Sequence, residues 1–157
     1  LIKRIRNKFC NPSITTDIMV GFAGENEEDF IESLRFANKI KFAKSHVFAY
    51  SRREGTLAYD MPGQISNTLK EERSHRMIAA TLASEYDFCS SQIGQKVHVL
   101  FESFDGEFYE GYSENHTHVK VKFNRNIISE IFDVKITDCK NSVCIGEIID
   151  EEAVTYE

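Results

Sequence analysis

An α/β segment followed by an all-β barrel is the fold class that this sequence predicts. Three observations carry it: a strand, helix, strand pattern over residues 14–51, a long helical stretch from Thr68, and five short period-two runs after Ile93-Gly94. Composition sets the frame for this reading. The 157 residues are 41% hydrophobic and 28% charged, with 8 Gly and 2 Pro, which excludes collagen, low-complexity disorder and a disulfide mini-scaffold. Apolar runs such as Ile18-Met19-Val20 fall far short of the roughly 20 residues that span a bilayer, so no membrane partner is expected.

Taken in order, Leu1, Ile2, Ile5 and Phe9 have the spacing of the end of an amphipathic helix, and a chain opening on Leu1 reads as cut from something longer. Residues Ile14–Val20 read as a mostly buried strand ending at Gly21-Phe22-Ala23-Gly24. Asn26 then caps a helix with Glu27, Glu28 and Asp29 in its first turn and Phe30, Ile31, Leu34, Ala37 and Ile40 as its apolar stripe. Ser45–Ser51 is the second strand, which makes a parallel βαβ unit whose loops at the strand C-termini face a ligand. Residues 52–67 are irregular, and Thr68 with Glu71 offers a capping box for a long helix reaching about Phe88.

The five later runs are Lys96–Phe101, Glu107–Tyr112, His118–Phe123, Ile131–Thr137 and Cys144–Ile149. Closing them into a small OB-like barrel removes the exposed edges of an open sheet and provides a face of the kind that binds oligonucleotides. The expected organisation is therefore residues 1–90 with the linking helix, a β-barrel over 91–150, and an acidic tail at 151–157.

Charge is unevenly spread. Residues 1–90 hold 13 Lys and Arg against 12 Asp and Glu, whereas residues 91–157 hold 6 against 13. By field alone the second segment repels nucleic acid, whose binding depends on neutralising phosphates. Cys10, Cys89, Cys139 and Cys144 form no CxxC pair, and without an export signal they are expected as reduced thiols in the cytoplasm.

Candidate chemistry is sparse. The Gly21–Gly24 loop, between a strand and a helix start, suits either an anion or a plain tight turn. His116 and His118, two apart, share a strand face but have no third metal ligand near in sequence, and Cys139 with Cys144 makes neither a zinc nor an iron–sulfur site. Asp17 is either paired within the strand or turned to solvent. Read this way, the residues give a ligand-facing βαβ piece and a barrel, with no catalytic set and no metal site.

Several segments together resemble one family. Ile14 to Glu25 with Glu28-Asp29-Phe30, His46 to Ser51, Gly55-Thr56, Ala58, Met61-Pro62 and Lys70 to Arg73 are similar, in order and spacing, to the radical S-adenosylmethionine methylthiotransferases. Ile93 to Lys96, Glu110 to Asn115 and Gly146 resemble their C-terminal TRAM domain, an OB-like barrel that binds tRNA. Within the family, His46-Val47-Phe48 and Gly111 to Asn115 look most like the branch acting on threonylcarbamoyladenosine in tRNA. The resemblance implies the C-terminal part of a radical SAM βα barrel followed by a TRAM barrel. It further implies a parent that adds a methylthio group at carbon-2 of the adenine beside the anticodon, using S-adenosylmethionine and two [4Fe–4S] clusters.

The CxxxCxxC triplet and the three cysteines of the family's N-terminal domain are absent from these 157 residues. The expectation is that they lie in a missing N-terminal portion of the same chain, and that the fragment by itself is inactive. Carried over by position, Met19, Gly21, Phe48, Tyr50 and Ser51 border the cofactor's adenine, while Tyr112, His118, Lys120 and Lys122 are the stacking and phosphate candidates for tRNA. Ala23, Ala49, Arg52 and Leu57 stand where the family has proline. The rival readings are a non-catalytic RNA-binding module, or a methylthiotransferase acting on isopentenyladenosine in tRNA or on a ribosomal protein.

Overall fold

A computed structural model describes residues 1–150 and 153–154. Its elements divide between two compact units, one formed by Ile14–Glu85 and the other by Leu1–Ser13 with Tyr86–Glu157.

In the first unit, β1 (Thr15–Val20) and β2 (Lys44–Ala49) pair in parallel, from Thr15 opposite Lys44 to Val20 opposite Ala49. The connecting helix α2 spans Glu27–Ile40. Asn26 Oδ1 accepts from the amides of Glu28 and Asp29, and Asp29 accepts from the Asn26 amide, so the predicted cap is a complete reciprocal box. Lys41 ends the helix in the left-handed region at φ 54°. Phe30 and Ala37 of α2 pack with Val20 and Met77, flanked by Ile18, Ile31, Leu34 and Val47. Asp17 is exposed, which settles its two readings in favour of solvent.

The long helix α3 spans Asn67–Ser91. Its start corrects the expected Thr68 and Glu71 box: Ser66 Oγ accepts from the Leu69 amide and the Ser66 carbonyl from the Lys70 amide. Ser66 thus caps two residues earlier, with no Glu at the position the box requires. Arg73 of α3 is buried, and its Nη1 donates to the Glu25 carboxylate at 2.6 Å and to the Glu25 carbonyl at 3.0 Å.

The second unit opens with a short helix, α1 (Ile2–Lys8). Its five longer strands are β3 (Lys96–Phe104), β4 (Tyr109–Ser113), β5 (His118–Val121), β6 (Ile131–Lys140) and β7 (Val143–Ile148), closed as a barrel in the order β3-β4-β5-β7-β6. A parallel pairing of β5 with β7 completes the ring. Register shifts at Phe101/Ser103 in β3 and Ile136/Asp138 in β6 give the local bends that closure requires. Val99, Phe101, Val119, Val121, Ile127, Phe132, Val134 and Ile136 fill the interior. Gly111 sits where an added Cβ would meet the Leu100 carbonyl and come within 2.8 Å of Phe101 Cα.

The expectation of four reduced thiols is corrected here. Cys89, at the end of α3, is joined to Cys139 of β6, with Cα atoms 5.9 Å apart. A sequence separation of 50 hides that pairing from local spacing. Cys139 does face Cys144 across the β6–β7 hairpin, and Cys144 Sγ lies 3.6 Å from Cys89 Sγ. Burial pushes the Cys144 thiol up to about 11, so it is inert near neutrality. The Val154 amide donates to the Ile131 carbonyl and Ala153 packs against the barrel core; the other residues of the expected acidic tail lie outside the described residues.

Two stability outcomes follow from these contacts. Replacing Arg73 by Met leaves the Glu25 carboxylate without its counter-ion and is expected to cost about 3–5 kcal/mol in urea unfolding, much of it recovered in the Glu25→Met/Arg73→Met double variant. Gly111→Ala forces a Cβ against backbone and is expected to cost about 3 kcal/mol, the upper end for overpacking, read from the same titration.

Candidate functional site

The face of the β1–β2 pair that carries Met19 and Phe48 is open. These two side chains are partners across the pair, and they remain 46% and 43% exposed, which leaves unpaired apolar surface at the C-terminal strand ends. A cavity of about 630 Å³ forms there, walled by Met19, Phe48, Ala49, Tyr50 and Ser51 on the strand side and by Arg53, Thr56 and Ala58 on the loop side. Phe22 meets the Tyr50 ring edge-on at 5.0 Å and fixes its plane. The loop is held by Thr56 Oγ1 donating to the Arg53 carbonyl and by Arg52 Nε donating to the Tyr59 carbonyl. Arg52 also lies 4.1 Å from the Tyr59 ring centroid, and Leu57–Tyr59 forms a turn of 3₁₀ helix. Apolar walls with a few hydroxyl and backbone groups at one end suit a planar heterocycle.

Of the five positions expected around a cofactor, Met19, Phe48, Tyr50 and Ser51 line this one cavity. Gly21 has a different setting. At φ 72° it adopts a conformation that favours glycine, and a Cβ there would strike the aliphatic stem of Lys70. Its amide donates to both oxygens of the Glu25 carboxylate, at 3.0 and 3.1 Å. The Gly24 amide donates to the Gly63 carbonyl. The reading of the Gly21–Gly24 loop as an anion cradle is therefore corrected: Glu25, held by Arg73, is the anion that occupies it. Sequence reasoning missed Arg73, Lys70 and the loop residues Arg53 and Thr56 as partners of this region. Thr56 and the Lys70 to Arg73 run enter the sequence reading only through the resemblance.

On the barrel, Leu100, Tyr112 and His118 lie opposite one another across β3, β4 and β5. Tyr112 stacks on His118 with ring centroids 5.2 Å apart and also meets His116 at 4.8 Å. His116 is not on the strand as the two-residue spacing suggested; it sits in the preceding turn at φ 62° and reaches the same ring from there. One row along, Lys120 is held by Glu110 at 2.5 Å and Asp105 at 3.0 Å, and His118 Nε2 also meets Glu110 at 3.0 Å. Lys122 pairs with Glu107 at 2.6 Å and lies over the Phe108 ring. The expected cations thus share a face with the aromatic platform, each with an internal carboxylate partner. Glu110 enters the sequence reading only within the resemblance, although its place two residues before Tyr112 on the strand predicts the shared face.

Fit to the implied groups differs between the two cases. The cavity walls suit the adenine of S-adenosylmethionine. Iron–sulfur ligation is another matter: among the described residues no group of three His, Cys, Asp or Glu could hold a metal, since Cys89, Cys139 and Cys144 are enclosed in the barrel core and Cys10 is exposed elsewhere in sequence. The residues present do not fit a cluster. Among the described residues no helix is long and apolar enough to cross a membrane.

The Asp105 carboxyl is held well below the usual carboxylate range by the amides of Phe108 and Glu107 and by the Lys120 ammonium. A depressed folded-state value adds stability above the unfolded value of roughly 4, and that stability is lost as pH falls through the folded value. Melting of the chain by circular dichroism is expected to show a falling Tm below about pH 4, with a shallower fall, from a lower starting Tm at pH 7, in Asp105→Asn.

No family model matches the chain. Among curated proteins, it is 33% identical, over 96% of its length, to tRNA-2-methylthio-N(6)-dimethylallyladenosine synthase of Lachnoclostridium phytofermentans. It is 35% identical over 86% of its length to threonylcarbamoyladenosine tRNA methylthiotransferase of Bacillus subtilis, and 38% identical over 70% to ribosomal protein uS12 methylthiotransferase of Clostridium botulinum. The matches cover 34%, 31% and 25% of those relatives, so the chain spans about a third or less of their length. Sustained over nearly the whole chain in relatives that share one chemistry, this similarity identifies it as a segment belonging to the methylthiotransferase family.

Proposed function

We propose that this chain is the C-terminal part of a radical S-adenosylmethionine methylthiotransferase acting on tRNA, with residues 1–90 closing the cofactor domain and residues 91–150 forming the TRAM barrel. The substrate proposed is N6-threonylcarbamoyladenosine beside the anticodon, methylthiolated at carbon-2. The observation that carries the reading is the cavity at the end of the β1–β2 pair. Met19, Phe48, Tyr50 and Ser51, which family resemblance assigns to the cofactor, come together around it.

S-adenosylmethionine, with clusters held by the missing N-terminal portion, would supply the radical chemistry and the methyl group. The residues of this chain bind and orient. Met19 offers a polarizable face to adenine, Phe48 extends that apolar wall, and the backbone at Ala49 to Ser51 presents polar groups to the ring edge. On the barrel, Tyr112 with His118 forms a stacking platform for an unpaired base, and Lys120 and Lys122 supply the charge beside it. Because both lysines already hold carboxylates, phosphate must compete with Glu110 and Glu107, so the barrel contributes orientation more than affinity.

Deleting the gene and analysing tRNA nucleosides by mass spectrometry tests the proposal. Loss of 2-methylthio-N6-threonylcarbamoyladenosine, with its unmethylthiolated precursor accumulating, is the expected result. Loss of the isopentenyl derivative instead moves the substrate assignment. Unchanged tRNA, with an unmodified ribosomal protein, overturns the tRNA reading.

A further inference from the structure

Lys70 is 7% exposed, yet among the described residues its ammonium has no ion pair or hydrogen bond. The stem passes over Gly21, and the ammonium lies 5.2 Å from the centroid of the Tyr50 ring. The stem is buried along Gly21 while the ammonium is left beside the Tyr50 ring, where the cation–π contact adds a modest attraction and a counter-ion can still be taken. A second cavity, of about 410 Å³, opens at this point, lined by Tyr50, Ser51, Arg52, Asn67, Lys70 and Ser74, with the exposed Glu71 among its lining residues but not paired to Lys70. The hydroxyls of Tyr50 and Ser74 are buried and have no partner. Arg52, whose Nε donates to the Tyr59 carbonyl, adds a second cationic side chain to the lining. The lining therefore offers two cationic side chains and two hydroxyls, of which the Lys70 ammonium and both hydroxyls have no hydrogen-bond partner among the described residues.

We infer that this second cavity is an oxyanion subsite, built around Lys70 to take a carboxylate or phosphate of a ligand that also enters the neighbouring cavity. The two cavities share Ala49, Tyr50 and Ser51, so one ligand can span them. The inference deepens the proposed function and rests on it for the identity of the ligand, whereas the oxyanion chemistry rests on Lys70 and its surroundings. Three sources carry such a group: a threonylcarbamoyl carboxylate, the methionyl carboxylate of S-adenosylmethionine and an RNA phosphate. Gly21 acquires a role here as well, since any side chain at that position would displace the Lys70 stem.

The test is a titration of the 157-residue chain with N-carbamoyl-L-threonine, its methyl ester, inorganic phosphate, S-adenosylmethionine and 5′-methylthioadenosine, read by the amide resonances of Ser51 and Ser74. At least one oxyanion is expected to give saturable shifts that weaken tenfold or more in Lys70→Met, while the methyl ester gives none. Binding of N-carbamoylthreonine assigns the threonyl carboxylate, and binding of phosphate alone assigns the RNA backbone. A Lys70→Met loss for S-adenosylmethionine but not for 5′-methylthioadenosine assigns the cofactor's own carboxylate. Tyr50→Phe, which removes one hydroxyl and keeps the ring, is expected to weaken the same ligand severalfold and serves if Lys70→Met does not fold. Shifts that no oxyanion produces, an ester that binds as well as the acid, or unaltered affinity in the folded variants overturns the inference. Failure of 5′-methylthioadenosine to shift Met19 and Phe48 overturns the adenine reading of the first cavity instead, and leaves the oxyanion result standing.

Discussion

The buried contact between Arg73 and Glu25 is the constraint on which the ligand-facing end of the βαβ unit depends. One carboxylate meets a guanidinium at 2.6 Å and, at the same time, accepts the Gly21 amide through both oxygens. It therefore joins the first part of α3 to the turn that follows β1. Arg76 continues the arrangement, pairing with Glu27 and lying 4.6 Å from the Phe30 ring. A buried ion pair adds little net stability compared with apolar packing of the same volume. What it provides here is position: the turn, the Lys70 stem above it and the strand end beside it are held in one arrangement.

The barrel solves a different problem. Its outer face must present cations and aromatic rings in a segment that carries more than twice as many acidic as basic residues. Glu110 sits between His118 and Lys120, Asp105 completes the Lys120 site, and Glu107 takes Lys122. Acidic residues are thus ordering groups for the cations as well as a source of repulsion, and the Lys120 ammonium is held above its usual range first by Glu110 and then by Asp105. Tyr112 and His118 present flat rings beside this network, which suits recognition by stacking more than by field.

Much of this was legible in the sequence because the signals are local. Alternation located all five longer barrel strands, and Asn26 with Asp29 located the start of α2 within one residue. Met19 and Phe48 were brought to one site by the family resemblance, and the parallel register of β1 with β2 is what makes them partners. What escaped was long-range. Arg73 finds Glu25 at a separation of 48 residues and Cys89 finds Cys139 at 50, and no periodicity carries such information. Gly21 was legible as a special backbone position but not for its reason, which is a lysine stem that arrives from another element. The helix start was misjudged because Ser66, a capping residue outside the Thr68 and Glu71 pattern, satisfies the same backbone donors earlier.

The second unit also draws on sequence from both sides of the first. Asn11 donates to the Gln92 side chain across 81 residues, and Asn115 reaches back to the Asn11 carbonyl across 104. Closure of the ring waits further still, for β7 to pair with β5. On a ribosome, which delivers the chain from its amino end, Ile14–Glu85 can collapse around Phe30 and Met77 while the partners of Leu1–Ser13 are still unmade. The barrel must then mature after that unit, and during that interval its inward-facing valines and phenylalanines are a surface in need of protection from aggregation.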